Sequence, residues 1–240
     1  MRTLVVLPTF NEADNIVEVL GLLRAVVPEA SILVVDDSSP DGTADLAEQT
    51  GAELGQIEVM RRPAKSGLGS AYRDGFRHGL TLGFDVLVEM DSDLSHDPHA
   101  LPSLLAAVED GASLALGSRY IPGGSIPDWS WHRRALSRWG NRYAARVLGM
   151  DIADGTSGYR AYTSPALAKI DFHTVRADGY GFQIEMAYRV LRSGGSITEV
   201  PISFTDRIRG ESKMSSRIVV EALVLVTAWG IRDRILRFRR

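Results

Sequence analysis

The sequence contains 240 residues, of which 45% are hydrophobic and 24% are charged. These proportions are ordinary for a globular protein and argue against disorder, collagen and coiled coil. The length suits one large domain, with or without a small appendage, and leaves ample chain for a hydrophobic core. The chain has no cysteine. This excludes disulfides, thiolate metal sites and cysteine nucleophiles, and it is compatible with a reducing cytosol.

Positive charge is concentrated in two segments of a chain whose formal net charge is −3. Residues 119–146 contain six arginines and one aspartate, a net charge of +5. Residues 207–240 contain eight arginines, one lysine and three acidic residues, a net charge of +6. The negative net charge argues against nucleic-acid binding, whereas the two basic segments on an otherwise acidic chain predict anionic partners such as phosphates or a membrane surface. Ordinary solvated basic faces remain the alternative.

Apolar runs alternate with helical periodicity from the N-terminus onward. The first run ends at Pro8 and is too short for a signal peptide, so it indicates a buried strand. We predict strands at 3–7, 31–35, 56–60, 84–90, 113–116 and 196–200. We predict helices at 12–26, 41–50, 67–80, 98–109, 131–148 and 180–191. The alternation predicts an α/β fold with a mostly parallel central sheet, flanked by helices and joined by right-handed crossovers.

The C-terminus combines an apolar stretch with a basic end. Residues 218–229 are apolar except for Glu221 and Thr227, and five arginines follow them. Twelve residues are too few to cross a bilayer, which takes about 20. We predict a C-terminal amphipathic helix that either lies in an anionic membrane interface or packs on the domain. The predicted boundary separates a domain at 1–206 from a mobile basic loop and this helix at 207–240.

Polar clusters follow three of the predicted strands, at 8–12, 36–39 and 91–93. In open α/β sheets, ligands bind at the carboxyl ends of the strands, so these clusters should converge. Asp91 and Asp93 close an apolar strand, and two hard oxygen ligands of this kind suit Mg²⁺ or Mn²⁺. Such a metal would stabilise a departing diphosphate. Ser95 and His96 lie within reach, and His96 is better explained as a loop residue or a nucleotide contact than as a base.

Three further segments carry weaker signals. The turn at 36–43 has Asp41 as a candidate helix N-cap and two further carboxylates that could bind a base, a ribose or a share of the metal. The glycine-rich helix entry at 65–71 could present amides to a phosphate, although Tyr72 replaces the third glycine of a dinucleotide fingerprint. A basic segment at 207–213 could close over a diphosphate, or could be an ordinary surface loop.

A row of arginines lies on one face of the helix predicted at 131–148. Its members recur every four residues and are Arg134, Arg138, Arg142 and Arg146. Aromatic and aliphatic residues lie on another face of the same helix. The row could therefore bind an anionic lipid headgroup, or could be a solvated face.

Taken together, these motifs resemble family 2 glycosyltransferases of the GT-A fold. Within that family they are most similar to the dolichyl- or polyprenyl-phosphate mannosyltransferases, in the form without transmembrane helices. The matching motifs extend over essentially the whole chain and are LPTFNE at 7–12, VVDDSSPDGT at 34–43, DSDLSHDP at 91–98, GSRY at 117–120, DGTSGYR at 154–160, GYGFQIEM at 179–186 and EVPISFTDRIRGESKM at 199–214.

The resemblance implies an enzyme at the cytoplasmic face of the membrane that transfers mannose from GDP-mannose to polyprenyl phosphate with inversion. It implies peripheral attachment, through the membrane surface or a membrane-anchoring partner protein. Asp91 and Asp93 would be the catalytic residues and would hold Mg²⁺ or Mn²⁺, with Ser95 at a third ligand position often filled by glutamine. The remaining implied contacts are Pro8, Phe10, Glu12 and Asp37 to the guanosine, Arg207 and Lys213 to the diphosphate, and Arg119, Arg133 and Ser137 to the acceptor phosphate.

Three other functions remain open at this stage. The same fold could use UDP-glucose to make a glucosyl phosphate lipid. A transferase acting on a glycan hydroxyl would need a catalytic base, which the sequence does not offer clearly. A catalytically inactive lipid-phosphate binding protein is the third, and the intact acidic pair at 91 and 93 argues against it.

Overall fold

A computed structural model describes residues 1–206 and 216–238, with backbone alone at 216–218 and 236–238. The strands are β1 (Thr3–Thr9), β2 (Ser31–Asp36), β3 (Ile57–Arg61), β4 (Val86–Glu89), β5 (Leu114–Ser118), β6 (Arg160–Thr163) and β7 (Ile197–Pro201). The helices are α1 (Ala13–Val26), α2 (Thr43–Leu54), α3 (Leu68–Thr81), α4 (Leu101–Glu109), α5 (Trp131–Leu148), α6 (Ser164–Lys169), α7 (Gly179–Arg192) and α8 (Ser216–Phe238). Short 3₁₀ turns occupy Pro98–Ala100 and Phe172–Thr174.

The seven described strands form one sheet in the order β3-β2-β1-β4-β6-β5-β7. All neighbouring strands pair in parallel except β6, which is antiparallel to both β4 and β5. The predicted α/β fold with a mostly parallel sheet and flanking helices is therefore confirmed. Neither β6 nor α6 was predicted, so the second half of the sheet is mixed rather than parallel.

The hydropathy pattern does not predict β6, because this strand begins with a charged residue, Arg160, that is fully buried. Its guanidinium donates to the carbonyls of Gly155, Ser157 and Gln183 at 2.7–2.8 Å and to the Tyr162 hydroxyl at 3.2 Å. Burial of a charge is tolerable when its donors are satisfied in this way. Tyr162 belongs to the same strand, but the three carbonyls lie outside β6, so the sequence of the strand alone does not reveal them.

The core lies on both faces of the sheet, as the alternation of side chains along a strand requires. Leu4 and Val6 of β1 join one cluster with α3 and α7, whereas Val5 and Leu7 join the other with α1 and α4. Helix α3 lies very close to the sheet. A Cβ at Gly79 would stand 2.6 Å from Leu87, so only glycine permits this approach.

Helix α8 packs on α5 and α7, which is one of the two predicted arrangements. The Thr227 and Tyr143 hydroxyls are 2.7 Å apart, and Trp229 stacks on Tyr188 at 6.4 Å. Tyr188 also donates to Asp233. The opposite side of the helix remains apolar and exposed, at Val220, Val224, Ile231 and Ile235. No helix within the described ranges has both the length and the apolar character that crossing a membrane requires.

Candidate functional site

The three polar clusters meet at the carboxyl ends of β1, β2 and β4, and we call residues 8–12, 36–41 and 91–96 the strand-end site. The Asp37 amide donates to the Thr9 carbonyl at 3.0 Å, which joins the ends of β2 and β1. The Ser92 hydroxyl donates to the Pro8 carbonyl at 3.0 Å, which joins the ends of β4 and β1. The predicted convergence is therefore confirmed, and the geometry follows from the parallel pairing of these strands.

The acidic pair lies in the loop that leaves β4. Asp93 is buried, and its Oδ1 accepts from the Ser95 amide at 3.0 Å and from the Ser95 hydroxyl at 2.6 Å. The side chain of Asp91 is 31% exposed, and its Oδ1 lies 3.5 Å from the Tyr72 hydroxyl. Asp93 is thus fixed from within the loop, whereas Asp91 remains accessible to a ligand.

The chemistry of this donor set fits a small divalent cation. Asp91 and Asp93 offer hard carboxylate oxygens, and Ser95 adds a hydroxyl in contact with Asp93. Among the described residues, no group of three or more His, Cys, Asp or Glu forms a complete metal cage. Mg²⁺ and Mn²⁺ need no such cage, because they commonly bind one or two carboxylates together with waters and substrate phosphates.

His96 is a packed residue that supports the acidic loop. Its ring is buried, stacks on Tyr159 at 5.0 Å and meets the edge of Phe204 at 5.5 Å. Nδ1 accepts the Asp91 amide at 3.2 Å. Burial lowers the pKa of His96 to about 4, since desolvation penalises the charged ring. The neutral ring therefore serves as an acceptor that positions the backbone of Asp91.

The predicted nucleotide contacts line the β1 and β2 ends of the strand-end site. Asp37 is buried and is held by the Arg62 guanidinium at 2.5 Å and the Ser66 amide at 3.1 Å. The Lys65 ammonium lies 3.9 Å from the centre of the Phe10 ring. Glu12 is buried at the start of α1, and Pro8 precedes it in β1. The four predicted residues therefore lie at the carboxyl ends of β1 and β2. Basic side chains contact two of them, Arg62 at Asp37 and Lys65 at Phe10.

Asp41 and Asp178 hold the loops around this edge. Asp41 accepts from the amides of Ala13 and Thr43 at 3.1 Å and from the Thr43 hydroxyl at 2.6 Å, so it ties the starts of α1 and α2 together. Partial burial raises the pKa of Asp41, but these hydrogen bonds outweigh it and hold the pKa below its usual value. The Gly69 amide, expected to face a phosphate, donates instead to Asp178 at 3.2 Å.

Arg119, a predicted acceptor contact, forms a buried ion pair with Asp154. Two of its guanidinium nitrogens bind the Asp154 carboxylate at 2.7 Å, and one also donates to the Thr156 hydroxyl at 2.8 Å. Desolvation opposes the charge on Arg119, but Asp154 outweighs it and holds the arginine pKa above its usual value. A ligand would therefore meet an arginine that is already held by the protein.

Arg133 and Ser137 lie on the first two turns of α5 and are the more open pair. The Arg133 guanidinium stacks on the Trp129 ring at 3.9 Å and donates to the Asp206 carboxylate at 3.0–3.1 Å. Its side chain is 32% exposed. Ser137 is half-buried one turn further along the helix.

Between α5 and α8 runs a cleft that we call the helix groove. Its polar end has Trp129, Arg133, Ser137, Thr156 and Tyr180, and its apolar length has Leu136, Trp139, Gly140, Tyr143, Ala144, Ile184, Val219, Ala222, Leu223 and Val226. The arginine row lies on the neighbouring face of α5, where it lines a second, open groove with Trp131, Ala135, Trp139 and Tyr143. The sequence predicted this row, but it did not predict the groove, because α8 supplies one wall.

Two predicted residues, Arg207 and Lys213, lie outside the described residues. Sequence reasoning assigned no role to Asp154 or Asp206. Both lie within motifs on which the family resemblance rests, and this is the one signal that the sequence offered. Their contacts with Arg119 and Arg133 are revealed only by the fold.

Comparison with known proteins identifies the family. Residues 4–171 match the family described as glycosyl transferase family 2. A polyprenol monophosphomannose synthase of Mycolicibacterium smegmatis is 49% identical over 99% of this chain and 90% of its own length. An undecaprenyl-phosphate mannosyltransferase of Micrococcus luteus is 50% identical over 98% of this chain and 96% of its own length.

A solved structure shares the fold. The glucosyl-3-phosphoglycerate synthase of Mycobacterium tuberculosis, solved with Mn²⁺, UDP and glucosyl-3-phosphoglycerate, superposes with a TM-score of 0.70 at 20% identity. The match covers 95% of this chain and 79% of that one. The chain therefore belongs to glycosyl transferase family 2, and within that family it groups with the polyprenyl-phosphate mannosyltransferases.

Proposed function

We propose that this glycosyltransferase moves mannose from GDP-mannose to polyprenyl phosphate, with inversion at the anomeric carbon and with a divalent metal. The helix groove carries the proposal, because it joins a cationic, hydroxyl-bearing end to a long apolar lining. A polyprenyl phosphate has the same two parts. The names of the two bacterial relatives support the same acceptor class and the same sugar.

The donor is proposed to bind at the strand-end site. Guanine presents N–H donors, and Asp37 and Glu12 offer carboxylate oxygens in a buried setting. Phe10 offers an aromatic face. Mg²⁺ or Mn²⁺, held by Asp91 and Asp93 with Ser95 or a water beside them, would neutralise charge on the departing diphosphate. Arg207 and Lys213 are proposed to contact that diphosphate, in keeping with the family resemblance.

The proposed reaction is an in-line displacement. An oxygen of the acceptor phosphate attacks the anomeric carbon, the bond from that carbon to the GDP oxygen breaks, and GDP leaves with the bonding electrons. A phosphate monoester is already ionised near neutral pH, so no strong base is needed. The mechanism does not use His96 as a base, because this ring is buried, has a lowered pKa and accepts the Asp91 amide. Arg119 and Arg133 would position the attacking anion and offset its repulsion from the diphosphate.

We also propose peripheral attachment to the cytoplasmic face of the membrane. The acceptor is a lipid, so the helix groove must be reached from a bilayer or through a membrane-anchoring partner. The arginine row lines the neighbouring groove, which shares Trp139 and Tyr143 with the helix groove, and Trp131, Leu136 and Trp139 are exposed there. Arginine favours anionic headgroups, and tryptophan favours the interface. The division into a domain at 1–206 and a C-terminal unit at 207–240 stays a prediction.

The deciding experiment is transfer of radiolabelled sugar to polyprenyl phosphate from a panel of GDP- and UDP-sugars, with added Mg²⁺ or Mn²⁺ and with EDTA. GDP-mannose should be the best donor, and EDTA should abolish transfer. Preference for UDP-glucose would replace the proposed donor. Metal-dependent transfer to a glycan hydroxyl, or the absence of any transfer or donor hydrolysis, would contradict the proposed reaction.

An arginine pair on α5 tests the acceptor assignment. Arg133→Ala should raise the acceptor KM about 10- to 100-fold while leaving the donor KM nearly unchanged, because a charge-assisted phosphate contact is lost. Arg134→Ala is the matched control with the acceptor supplied in neutral detergent, since Arg134 lies on the neighbouring face of the helix and its proposed partner, an anionic membrane surface, is then absent. Equal weakening of donor and acceptor use by Arg133→Ala would argue that Arg133 is structural.

A further inference from the structure

The Asp206 carboxylate binds the Arg133 guanidinium, which is the group that the acceptor phosphate is proposed to contact. Its Oδ1 accepts from Trp129 Nε1 at 2.9 Å and from Arg133 Nη1 at 3.0 Å, and its Oδ2 lies 3.1 Å from the same Nη1. These two N–H groups stand at the polar end of the helix groove. The carboxylate therefore binds the same kind of donors that a phosphate oxygen would bind there.

The backbone that leads to Asp206 is anchored by three amides. The Phe204 amide donates to the Ser125 carbonyl at 3.0 Å, and the Thr205 amide donates to the Ser95 carbonyl at 3.3 Å. The Asp206 amide donates to Asp128 Oδ2 at 3.2 Å. The segment thus bridges the acidic loop after β4 and the residues that lead into α5, and this anchoring directs the Asp206 side chain to Arg133.

The pairing is selective. Within the described part of the chain, none of the four arginines of the row on α5 has a carboxylate within ion-pair distance. Asp206 pairs instead with Arg133, the arginine that lines the helix groove. General neutralisation of a basic helix would not favour this one position over the row beside it.

The Arg133 pair is also exchangeable, unlike the Arg119 pair. The side chains of Arg133 and Asp206 are 32% and 43% exposed, whereas those of Arg119 and Asp154 are 4% and 0% exposed. Exposed ion pairs are weak, and a buried pair is costly to break. An incoming anion can therefore displace Asp206 far more readily than Asp154.

We propose that Asp206 is a positioning residue that holds Arg133 in the acceptor-free enzyme and is displaced by the acceptor phosphate. This inference rests on the proposed function, because it takes Arg133 as an acceptor contact. While the carboxylate is bound, the guanidinium keeps its stacked orientation over Trp129, and its Nη1 is closed to other anions. The apparent acceptor affinity is then the intrinsic affinity multiplied by the fraction of molecules in which Arg133 is free.

The test compares Asp206→Asn with Asp128→Asn in the full chain, with GDP-mannose saturating and polyprenyl phosphate varied. Asp128 carries the same charge in the residues that lead into α5, and it accepts the Asp206 amide, as asparagine also can, rather than contacting Arg133. Asp206→Asn should lower the acceptor KM about two- to fivefold, the range expected for loss of a partly exposed ion pair. The donor KM of Asp206→Asn should not change. Asp206→Glu should keep the acceptor KM of the wild type, and so should Asp128→Asn.

Three outcomes would overturn the proposal. In the first, Asp206→Asn leaves the acceptor KM unchanged. In the second, Asp206→Asn raises it. In the third, Asp128→Asn lowers the acceptor KM as much as Asp206→Asn does. A purely structural Asp206 would produce the second, since Arg133 would lose its orientation. In an Arg133→Ala background, Asp206→Asn should have no further effect on the acceptor KM, and a persisting decrease would also contradict the proposal.

Binding of farnesyl phosphate, followed by tryptophan fluorescence without donor, separates this inference from the proposed reaction. Tighter binding by Asp206→Asn than by the wild type supports the displacement model even if no sugar is transferred. Absence of transfer by the wild type would count against the proposed reaction. Equal binding by the two proteins would count against displacement, whatever the transfer assay gives.

Discussion

The strand-end site and the helix groove are built in opposite ways. At the strand-end site, Asp37 and Asp93 are buried and already accept hydrogen bonds from neighbouring groups. Beside the helix groove, exposed aromatic and aliphatic side chains stand next to the arginine row, whose four members have no carboxylate within ion-pair distance among the described residues. The first region is organised before any ligand arrives, whereas the second leaves apolar and cationic surface open.

The difference matches what each region is proposed to bind. A nucleotide sugar is a compact ligand with many polar groups, and a preorganised set of hydrogen-bonding groups binds it without further ordering of the protein. A polyprenyl chain is long and apolar, and exposed apolar surface of this extent commonly marks an interaction site. Rate should therefore depend mainly on the strand-end site, and acceptor choice mainly on the groove.

The largest expected effect separates rate from stability at the strand-end site. Asp91→Asn should reduce transfer about 10³- to 10⁴-fold, because loss of a metal carboxylate removes several kcal/mol of charge stabilisation at the leaving group. Its thermal midpoint should stay close to that of the wild type, since the Asp91 side chain is partly exposed. The comparison uses initial rates at saturating substrates and thermal unfolding of the same preparations.

Asp97→Asn is the matched control for that change. Asp97 lies in the same loop, and its carboxylate accepts the His99 amide at the start of a 3₁₀ turn. Asparagine caps such turns about as well as aspartate. Transfer should therefore be preserved, and an Asp91→Asn enzyme with more than about a tenth of the wild-type rate would contradict the metal role.

The next effect concerns Arg119, where the two regions adjoin. Arg119→Ala leaves the Asp154 carboxylate buried without its counter-charge, which should cost about 3–5 kcal/mol of unfolding free energy. Urea denaturation measures this loss. Arg61→Ala is the control, because its pairs with Asp45 and Glu48 lie on the surface, where solvent screens them, and should contribute little to stability. Similar losses in the two variants would show that the Arg119 pair is no more costly to break than a surface pair.

A pH profile tests how the strand-end site is supported. Folding keeps His96 neutral down to a pKa of about 4, whereas the unfolded chain takes up this proton near pH 6.5. The unfolded state thus binds more protons between these values, so unfolding free energy falls as the pH is lowered from about 6.5 towards 4. The contribution from His96 should reach at most about 3 kcal/mol.

His96→Gln isolates that contribution. Glutamine can still accept the Asp91 amide but does not titrate in this range. The variant should lose stability at every pH through poorer packing, yet its unfolding free energy should depend less on pH between 6.5 and 4. Parallel pH profiles for the variant and the wild type would show that His96 does not carry the dependence.

Sequence patterns predicted the strand-end site well, because its information is local. Each of its clusters directly follows an apolar run, and parallel pairing brings strand ends together without knowledge of the rest of the fold. Arg160 shows where prediction from local sequence patterns fails. It begins β6, yet the carbonyls that satisfy it come from residues up to 23 positions away, so the strand was not predicted.

The helix groove was less accessible to sequence reasoning for the same physical reason. The contact between Tyr143 and Thr227 spans 84 positions, and it creates a wall that neither helix has alone. Likewise, nothing in the sequence around Arg119 reveals that Asp154 would occupy two of its nitrogens. The arginine row could be predicted because helical spacing is local, whereas its position beside an apolar groove depends on how α8 packs.

The smallest expected effect is confined to the groove. Leu136 lines it with an exposed side chain, so Leu136→Ala should leave the fold intact and weaken binding of the acceptor's hydrocarbon chain. Loss of buried apolar area on this scale is about 1 kcal/mol, or about a fivefold rise in KM for a long polyprenyl phosphate. Leu82→Ala is the control, because Leu82 is similarly exposed and lies beyond the end of α3.

Chain length makes the Leu136 measurement specific to the groove. Farnesyl phosphate carries the same head group on a shorter chain, so it covers less of the apolar lining and should lose less affinity in Leu136→Ala. The ratio of the two acceptor KM values should therefore change in this variant and stay constant in Leu82→Ala. A uniform rise for both acceptors would place the effect of Leu136 at the phosphate-binding end. The strand-end site and the helix groove would then not divide the work between rate and acceptor choice.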